Sequence, residues 1–371
     1  MLNTNKTVSS PSCKQLVKQL GPLKAIPILF IWPNPTCNCR CVMCDIWKIK
    51  SKPTISSEDI KAWVSELSNN EIRSIVLTGG EALLHPEIWK IVDSICAAGI
   101  TVSLLSTGFL LEKHAQNIVQ KCSAVYVSLD GPENTHNAIR NVPKGYEKLK
   151  NGVRALKDLD SAFPVKARCT VQKRNFRMLR ATVDAAHDIC VDRISFLAAD
   201  VSTSAFNREN QWEASRQGEV MLSASEIPEL ETELKQLAES AVNEFSSGFI
   251  HESPALLKRK LLDYYSALAL KTAFPINECN APWTSAVVEH DGTVRPCFFQ
   301  KAYGNINEAG GLLNVLNSEE SIRFRDNLDV RSDPICQRCV CTMSIYGCNC
   351  EWTSTPPYCD ETCSLVDEFL T

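Results

Sequence analysis

Several features that mark membrane, secreted or nucleic-acid-binding proteins are missing from this sequence of 371 residues. The apolar run AIPILFIW, residues 25–32, is too short to span a bilayer, and no small-residue cleavage site of a signal peptide follows it. Lysine and arginine are scattered, with no run dense enough to bind a phosphate backbone, and the formal net charge is −4. These absences predict a cytoplasmic protein that has neither a membrane nor a nucleic acid as its partner.

Cysteine, in contrast, is abundant, with 18 residues. Thiol buffers keep ordinary cysteine pairs reduced in the cytoplasm, so we do not expect mainly disulfides. Four cysteines between Cys37 and Cys44 form an N-terminal cysteine group, and nine between Cys279 and Cys363 form a C-terminal cysteine group. Such clustering favours metal or iron–sulfur ligation. The remaining five are expected to be buried small side chains: Cys13, Cys96, Cys122, Cys169 and Cys190.

Short β-rich runs alternate with longer amphipathic runs between residues 25 and 199. The near-continuous apolar character of the β-rich runs suits a parallel sheet covered by helices. We predict strands at 25–32, 74–80, 101–107, 124–131, 165–172 and 193–199, and helices at 57–67, 86–98, 112–121, 146–159 and 177–189. The predicted class is α/β: a partial (β/α)6 TIM-like barrel, with active residues at the C-terminal ends of its strands.

The chain changes character after the last predicted barrel strand. Two helical stretches are predicted at 224–245 and 254–273, and the segment TSAVVEHDGTVRPCF predicts a β-hairpin that turns at Asp291 and Gly292. We therefore expect an N-terminal extension at 1–24, a barrel at 25–200, a helical connecting region at 201–275, and a small cysteine-rich domain at 276–371.

The N-terminal cysteine group lies in the stretch PTCNCRCVMCDIW, directly after the first predicted strand. The spacing Cys37-x3-Cys41-x2-Cys44 supplies three thiolates from one loop, which can hold three irons of a cubane cluster and leave the fourth iron open. Cys39 lies midway in the x3 gap, where the loop would turn it away from the cluster. The alternative is a zinc knuckle that uses Cys41 and Cys44 with another pair elsewhere.

A second motif, LTGGEALLHP, ends the second predicted strand with Gly79, Gly80 and Glu81. Glycines let the backbone approach a ligand closely, and a glutamate can accept hydrogen bonds from an ammonium group. With the CxxxCxxC loop, this motif resembles the radical S-adenosylmethionine superfamily, and the resemblance covers most of residues 28–199 in order and spacing.

The resemblance implies that Cys37, Cys41 and Cys44 hold a [4Fe–4S] cluster whose open iron binds S-adenosylmethionine. It implies that the reduced cluster cleaves this cofactor to a 5′-deoxyadenosyl radical, with a flavodoxin- or ferredoxin-like electron donor. The implied cofactor contacts are Met43 to adenine; Gly79, Gly80 and Glu81 to the methionine ammonium; Ser106, Ser128 and Asp130 to the ribose and carboxylate; and Arg140 to the carboxylate. For Ser128 and Arg140, a strand-end hydrogen bond and a surface charge are the alternatives.

The C-terminal cysteine group resembles the SPASM/twitch extension of the same superfamily, in which a hairpin and a later CxxC enclose an auxiliary [4Fe–4S] cluster. The resemblance implies the ligands Cys279, Cys297, Cys336 and Cys339, and a structural zinc site on the same thiolates is the alternative. The tail departs from the longer pattern, because Ile345 occupies an expected cysteine position. The candidates for a second auxiliary cluster are Cys341, Cys348, Cys350, Cys359 and Cys363.

The expected reaction is oxidation or rearrangement of a small substrate, carbohydrate-like or otherwise biosynthetic, with help from the auxiliary cluster. A maturase of a ribosomal peptide or protein is the alternative. The short extension before the barrel leaves no room for a fused leader-peptide-binding domain, which favours a small or separately presented substrate. From another class, a non-catalytic iron–sulfur or zinc protein is the further alternative, although electron carriers normally have fully ligated clusters.

Overall fold

A sheet of nine strands forms the centre of the part of the chain that the computed structural model describes, namely residues 15–16, 18–50, 53–69, 72–208 and 210–347. The strands are β1 Gln15–Leu16, β2 Ile28–Ile31, β3 Ser74–Leu77, β4 Thr101–Ser106, β5 Ala124–Ser128, β6 Val165–Val171, β7 Arg193–Ala198, β8 Ser285–Val288, β9 Thr293–Arg295, β10 Gly304–Asn305 and β11 Tyr346–Gly347. The order across the sheet is β10-β9-β8-β2-β3-β4-β5-β6-β7, and β1 pairs with β11 separately.

Strands β2 to β7 are parallel and follow one another in chain order, which is the predicted partial barrel. All six predicted barrel strands are confirmed, and each ends before its predicted last residue. The residues just beyond the strands leave the ladder and form loops at its C-terminal edge. Helices cover the outer face, so these strands are buried on both sides and carry apolar residues almost continuously.

Strand β8 joins the barrel sheet in a way that the sequence did not reveal. It runs parallel to β2, with Ile28 opposite Ser285 and Ile31 opposite Val288. Its other edge forms the predicted hairpin, in which Val288 pairs with Val294 of β9 in the antiparallel sense. The sheet therefore continues from the barrel into the cysteine-rich region. A hairpin signal is local, whereas pairing with β2 joins residues far apart in the chain.

Sixteen α-helices occur among the described residues. They are α1 Ser57–Asn69, α2 Ile88–Ala97, α3 Leu111–Lys121, α4 Glu133–Arg140, α5 Gly145–Leu159, α6 Leu179–Asp188, α7 Ala214–Val220, α8 Ile227–Ser240, α9 Val242–Ser246, α10 Pro254–Leu257, α11 Tyr264–Leu270, α12 Ala281–Thr284, α13 Ile306–Ala309, α14 Leu312–Leu316, α15 Glu319–Asn327 and α16 Pro334–Gln337. The five predicted barrel helices are confirmed. Helix α4 was missed because its sequence, ENTHNAIR, is short and mostly polar.

The two predicted connecting helices are both interrupted. The first divides into α8 and α9 at Ala241, whose backbone leaves the helical region. In the second, a π-helical turn over Lys258–Asp263 joins α10 to α11. None of the helices in the described residues is long and apolar enough to cross a membrane.

The inner face of the sheet is filled by its own side chains together with residues from near the end of the described chain. Phe30 of β2, Tyr126 of β5 and Val287 of β8 pack with Met343 and Ile345. Alternate residues of a strand point to opposite faces, so the neighbours of these residues pack under the outer helices. The cysteine-rich region thus closes the inside of the barrel.

The isolated cysteines, all five of which were predicted to be buried, agree with that prediction only in part. Cys122 and Cys169 are buried, as predicted. The prediction is wrong for Cys96 and Cys190, which are exposed: Cys96 lies in α2 outside its buried face, and Cys190 lies in the turn after α6 with φ of 60°. Cys13 lies outside the described residues.

Candidate active site

A cavity of about 220 Å³ lies at the C-terminal ends of the barrel strands. The thiol-bearing residues Cys37, Cys41 and Cys44 line it together with Gly79 and Gly80. Cys39 is not among the lining residues, and only 1% of its surface is exposed. The structure therefore brings together the three cysteines of the CxxxCxxC spacing and the two glycines, and it leaves the fourth cysteine outside.

Backbone hydrogen bonds hold the cysteine loop against its neighbours. Glu81 N donates to Thr36 O at 2.9 Å, which ties the GGE segment to the start of the loop. Arg40 N donates to Arg140 O and Val42 N to Ile139 O, each at 3.1 Å. Because these bonds use main-chain groups, they fix the path of the loop between the end of β3 and the end of α4.

Gly79 and Gly80 are required by space as well as by backbone conformation. A Cβ atom on Gly79 would lie 1.6 Å from Cδ1 of Trp32, and its φ of +109° is a conformation that other residues rarely adopt. A Cβ atom on Gly80 would lie 2.3 Å from the carbonyl oxygen of Thr36 and 3.0 Å from Cβ of Cys37. The absence of side chains lets this segment lie directly against the cysteine loop.

The side chain of Glu81 lies behind the cavity wall. It is fully buried, and its carboxylate accepts hydrogen bonds from Ser106 Oγ at 2.9 Å, Thr107 N at 2.7 Å, Thr107 Oγ1 at 2.6 Å and Leu83 N at 3.1 Å. Burial raises the pKa of Glu81, and these hydrogen bonds oppose that rise. The carboxylate therefore joins the end of β3 to the end of β4, and the backbone of Gly79 and Gly80 faces the cavity in its place.

Asp130 and Arg140 form a buried ion pair next to the loop. Arg140 Nε donates to Asp130 Oδ2 at 2.6 Å, and Arg140 NH1 lies 3.6 Å from Cys41 Sγ. Burial alone lowers the pKa of Arg140, but the nearby carboxylate and thiols outweigh it and hold the pKa above its usual value. Arg140 lines the cavity and Asp130 does not, so Asp130 acts through the arginine.

The three lining thiols differ in acidity. The pKa of Cys37 is lowered, chiefly by a hydrogen bond with Cys39. The same partner lowers the pKa of Cys41 to about 7 against the effect of burial, and the charge of Arg140 lowers it further. Burial raises the pKa of Cys44 to about 12. Two of the thiols are thus prepared for deprotonation, which metal ligation requires.

The other residues predicted to bind the cofactor form two sets, one that lines the cavity and one that lies behind its wall. Met43, Ser106 and Ser128 line the cavity, whereas Glu81 and Asp130 support it from behind. The ligand roles of all of them, and of the cysteines, stay predictions.

A polar segment after β7 also belongs to the site, which the sequence did not reveal. Asp200 lines the cavity and is paired with the buried Arg208 at 2.8 Å. Arg208 NH2 donates to Met43 O at 3.3 Å, and Trp212 Nε1 donates to Asp45 Oδ2 at 2.7 Å. This segment fastens the far side of the cysteine loop. Its sequence signal was the position of Asp200 directly after a predicted strand.

A second cavity, of about 470 Å³, adjoins the first. Thr78, Leu105, Arg168, Thr170 and Phe206 line both cavities. The larger cavity also reaches Cys341 and the β8–β9 hairpin region. The residues that line it there are Glu289, His290, Asp291, Arg295 and Phe298. A path therefore runs from the cysteine loop across the barrel to the cysteine-rich region.

The described part of the C-terminal cysteine group is gathered in one place. The pKa of Cys339 is raised first by burial and then by the charges of Cys279, Cys341 and Cys297. Burial also raises the pKa of Cys336, and Gln300 Nε2 donates to its Sγ at 3.4 Å. Backbone N–H groups of Cys341 and Met343 donate to the sulfurs of Cys339 and Cys279, each at 3.4 Å.

Five thiols are thus close together where the resemblance implies four ligands. Burial also raises the pKa of Cys297 to about 12. In the described ranges, no three His, Cys, Asp or Glu side chains surround a single metal-ion position. Thiolates of a cubane cluster bind separate irons and need not converge on one point. Cys348, Cys350, Cys359 and Cys363 lie outside the described residues.

Comparison with protein families gives two matches. Residues 33–186 match the Radical SAM superfamily, and residues 279–340 match SPASM, described as an iron-sulfur cluster-binding domain. The first match contains the cysteine loop and the GGE segment, and the second contains Cys279, Cys297, Cys336 and Cys339.

Curated relatives include enzymes of different kinds. An AdoMet-dependent heme synthase of Methanosarcina barkeri is 27% identical over 59% of this chain and 68% of its own length. The mycofactocin maturase MftC of Mycolicibacterium smegmatis is 24% identical over 88% of this chain and 78% of its own. The subtilosin biosynthesis protein AlbA of Bacillus subtilis is 23% identical over 73% of this chain, which spans only 55% of AlbA.

Solved structures share the fold. SuiB of Streptococcus suis, bound to its precursor peptide SuiA, matches with a TM-score of 0.60 at 14% identity, over 86% of this chain and 72% of SuiB. Native anSMEcpe with bound AdoMet matches with a TM-score of 0.60 at 20% identity, over 84% of this chain and 86% of that one. These matches confirm the predicted fold class of a partial barrel followed by a small cysteine-rich domain.

Proposed function

The chain is a radical S-adenosylmethionine superfamily enzyme with a SPASM domain, and on this premise we propose that it cleaves S-adenosylmethionine reductively to start radical chemistry on its substrate. The observation that carries the proposal is the smaller cavity, where Cys37, Cys41 and Cys44 meet the bare backbone of Gly79 and Gly80 while Cys39 is excluded. Three thiolates without a fourth leave an iron open for chemistry.

When bound, a [4Fe–4S] cluster with S-adenosylmethionine would supply one-electron reductive cleavage of S-adenosylmethionine and hydrogen-atom abstraction from the substrate. Cys37, Cys41 and Cys44 would hold the cluster. The donor set fits, because the three thiols line one cavity and the pKa values of two of them are lowered.

The residues around these thiols would position the cofactor. Gly79 and Gly80 line the cavity and would offer backbone carbonyl groups to the methionine ammonium. Arg140, held by Asp130, offers its guanidinium to the methionine carboxylate. Met43 and Ser128 line the wall for the adenine and ribose. Glu81 acts by fixing the glycine segment rather than by direct contact.

The substrate that we favour is a peptide. MftC, whose name is that of a maturase, matches most of this chain. AlbA, named as a bacteriocin biosynthesis protein, matches about three quarters of it. These matches outweigh the preference for a small substrate that the sequence alone suggested. The M. barkeri heme synthase match favours a small biosynthetic substrate as the second candidate. The larger cavity would receive either one, next to the cofactor site and open to the SPASM region.

For the C-terminal cysteine group we propose an auxiliary [4Fe–4S] cluster on Cys279, Cys297, Cys336 and Cys339, with Cys341 as a further candidate. Cys341 lines the larger cavity, so this cysteine group borders the proposed substrate chamber, which suits an electron acceptor for the substrate radical. We also keep, as proposals, the four domain ranges expected from the sequence, a cytoplasmic location and a flavodoxin- or ferredoxin-like electron donor.

The decisive test is anaerobic reconstitution followed by addition of S-adenosylmethionine and a strong reductant. We expect 5′-deoxyadenosine and methionine in equal amounts, measured by liquid chromatography. Iron analysis should give about eight atoms per chain with one auxiliary cluster, or about twelve with two. Unchanged S-adenosylmethionine under strong reduction would reject the proposed reaction. About four irons with stoichiometric zinc would assign the C-terminal group to a zinc site.

A further inference from the structure

Arg168 stands out among the arginines that line the two cavities because its charge is not balanced. It lies in β6, is partly buried and lines both cavities. Within the described ranges its guanidinium makes one polar contact, from NH1 to Cys341 Sγ at 4.0 Å. Among the described residues, no carboxylate lies within ion-pair distance of it. The contact with sulfur is long and uses one of five N–H donors.

The other lining arginines each have a carboxylate partner. The pairs are Arg140 with Asp130 at 2.6 Å, Arg208 with Asp200 at 2.8 Å and Arg295 with Glu289 at 2.8 Å. A charge that is withdrawn from water is costly unless a partner compensates it. The difference therefore indicates that the partner of Arg168 comes from outside the described residues, through the cavity that the guanidinium lines.

Trp32 adds a second unpartnered donor to the same wall. Its side chain lines the larger cavity, only 7% of the residue is exposed, and its buried Nε1 has no hydrogen-bond partner among the described residues. Its ring lies against Gly79, so it is beside the proposed cofactor site. A buried indole N–H normally finds an acceptor. This N–H is itself buried and does not reach the cavity surface, so the Arg168 guanidinium is the group through which the cavity can hold an anion.

We propose that the substrate presents a carboxylate to Arg168. The proposal rests on the proposed function, since it takes the larger cavity as the substrate chamber. The planar guanidinium matches a carboxylate through two parallel N–H···O bonds. The carboxylate would belong to an acidic side chain of a peptide or to a small organic acid. Arg168 is then a specificity-determining residue that holds the substrate between the cysteine loop and Cys341.

The test uses the anaerobically reconstituted holoenzyme with S-adenosylmethionine and measures binding by calorimetry. Two anionic probes, glutarate and the capped peptide acetyl-Gly-Gly-Glu-Gly-Gly-amide, are compared with their neutral counterparts, glutaramide and the glutamine peptide. We expect the anionic form of at least one pair to bind about tenfold more tightly, since bonds to charged groups are the stronger ones. The probe pair that shows this preference identifies the source of the carboxylate.

The variant Arg168→Gln should abolish the preference for the anionic probe. Arg193→Gln is the matched control, since Arg193 lies on the neighbouring strand β7 and lines neither cavity. If the glutamine variant folds poorly, Arg168→Lys keeps the charge without the planar fork and should retain part of the preference.

Three results would overturn the inference: no preference in the natural protein, an unchanged preference in Arg168→Gln, or a loss of S-adenosylmethionine affinity in Arg168→Gln without probe. The last would show that Arg168 holds the cofactor. Failure of the proposed function is distinguishable, because it appears as absence of 5′-deoxyadenosine in the natural protein, whatever the probes do.

Discussion

Arg140 links Asp130 to Cys41 inside the barrel, with Nε 2.6 Å from Asp130 Oδ2 and NH1 3.6 Å from Cys41 Sγ. The other oxygen of Asp130 accepts from Thr170 N at 2.9 Å. One buried carboxylate thereby connects β5, β6 and α4, and α4 carries the arginine that reaches the cysteine loop. The position of the loop depends on this contact.

Replacing Asp130 by asparagine should destabilise the protein by about 3–5 kcal/mol, because it leaves a buried guanidinium without its counter-charge. Urea unfolding of the unreconstituted protein measures this directly. Asp158→Asn is the matched control: its partner Arg154 is 3.7 Å away and both side chains are largely exposed. Asp158→Asn should lower the free energy of unfolding by less than about 1 kcal/mol. An equal loss of unfolding free energy in the two variants would show that the buried ion pair contributes no more than the exposed one.

Cys39→Ala should retain most of the bound iron and most of the cleavage of S-adenosylmethionine. Cys37→Ala, Cys41→Ala and Cys44→Ala should abolish cleavage, since each leaves an iron without its thiolate. Cys39 lies outside the cavity, and its hydrogen bonds with Cys37 and Cys41 adjust those thiols without replacing them. The measurements are iron content and 5′-deoxyadenosine yield. Equal losses in all four variants would mean that the register of the motif is misassigned.

The barrel and the composition of the cavity could be predicted because their signals are local. Apolar runs between helical periods gave the strands, and the CxxxCxxC and GGE spacings gave Cys37, Cys41, Cys44, Gly79 and Gly80. Parallel strands end at the same edge, so motifs placed after consecutive strands must meet.

The rest depends on contacts between distant parts of the chain. Nothing in the sequence around β8 indicates that it pairs with β2. The direction of the Glu81 side chain is decided by the donors of Ser106 and Thr107, which belong to the next strand and its loop. The imbalance at Arg168 becomes visible only when every neighbouring carboxylate has been located. Spacing predicts which loops meet, and packing decides which atoms face the cavity.

Gly80→Ala should reduce affinity for S-adenosylmethionine and destabilise the protein by about 1–3 kcal/mol, as overpacking does. The new Cβ atom would lie 2.3 Å from the Thr36 carbonyl oxygen, so the cysteine loop would have to move. Gly218→Ala is the control, because that glycine lies in α7 with no heavy atom within 4 Å of its Cβ position. Gly218→Ala should leave the free energy of unfolding unchanged or raise it by up to about 1 kcal/mol. Unfolding and cofactor binding test both variants, and an undisturbed Gly80→Ala would contradict the close packing.

The stability of the protein should fall as the pH falls from about 7 to 5, partly because of His136. Burial, and next the charge of Arg140, lowers the pKa of His136 to about 4. Since its pKa when unfolded is about 6.5, the unfolded chain takes up the proton first, and stability is lost as the pH falls through this window. The contribution is about 2 kcal/mol between pH 7 and 5.

Unfolding in urea at both pH values, for the natural protein and His136→Gln, measures this contribution. Nδ1 of His136 accepts from Asp130 N at 3.3 Å, and a glutamine offers an acceptor without a titrating charge. The variant should therefore lose less stability on acidification. The same loss in both proteins would assign the pH dependence to other groups.

The last prediction separates the two cysteine groups by role. A double variant, Cys336→Ala with Cys339→Ala, should still cleave S-adenosylmethionine without forming product. The residues proposed to start the reaction line the smaller cavity, whereas Cys336 and Cys339 do not. The substrate radical would lack its electron acceptor. Yields of 5′-deoxyadenosine and of product from the natural substrate, measured together, give the degree of uncoupling.

Folding must be checked in this variant, because the free energy of cluster ligation is also free energy of folding. Retained absorbance of the barrel cluster would show that the rest of the protein is intact. Cys122→Ala is a suitable control, since it removes a buried thiol that belongs to neither cysteine group. A folded double variant that forms product at the natural rate would assign the auxiliary cluster a bracing role only. Loss of cleavage in a folded variant would instead show that the auxiliary group takes part in starting the radical.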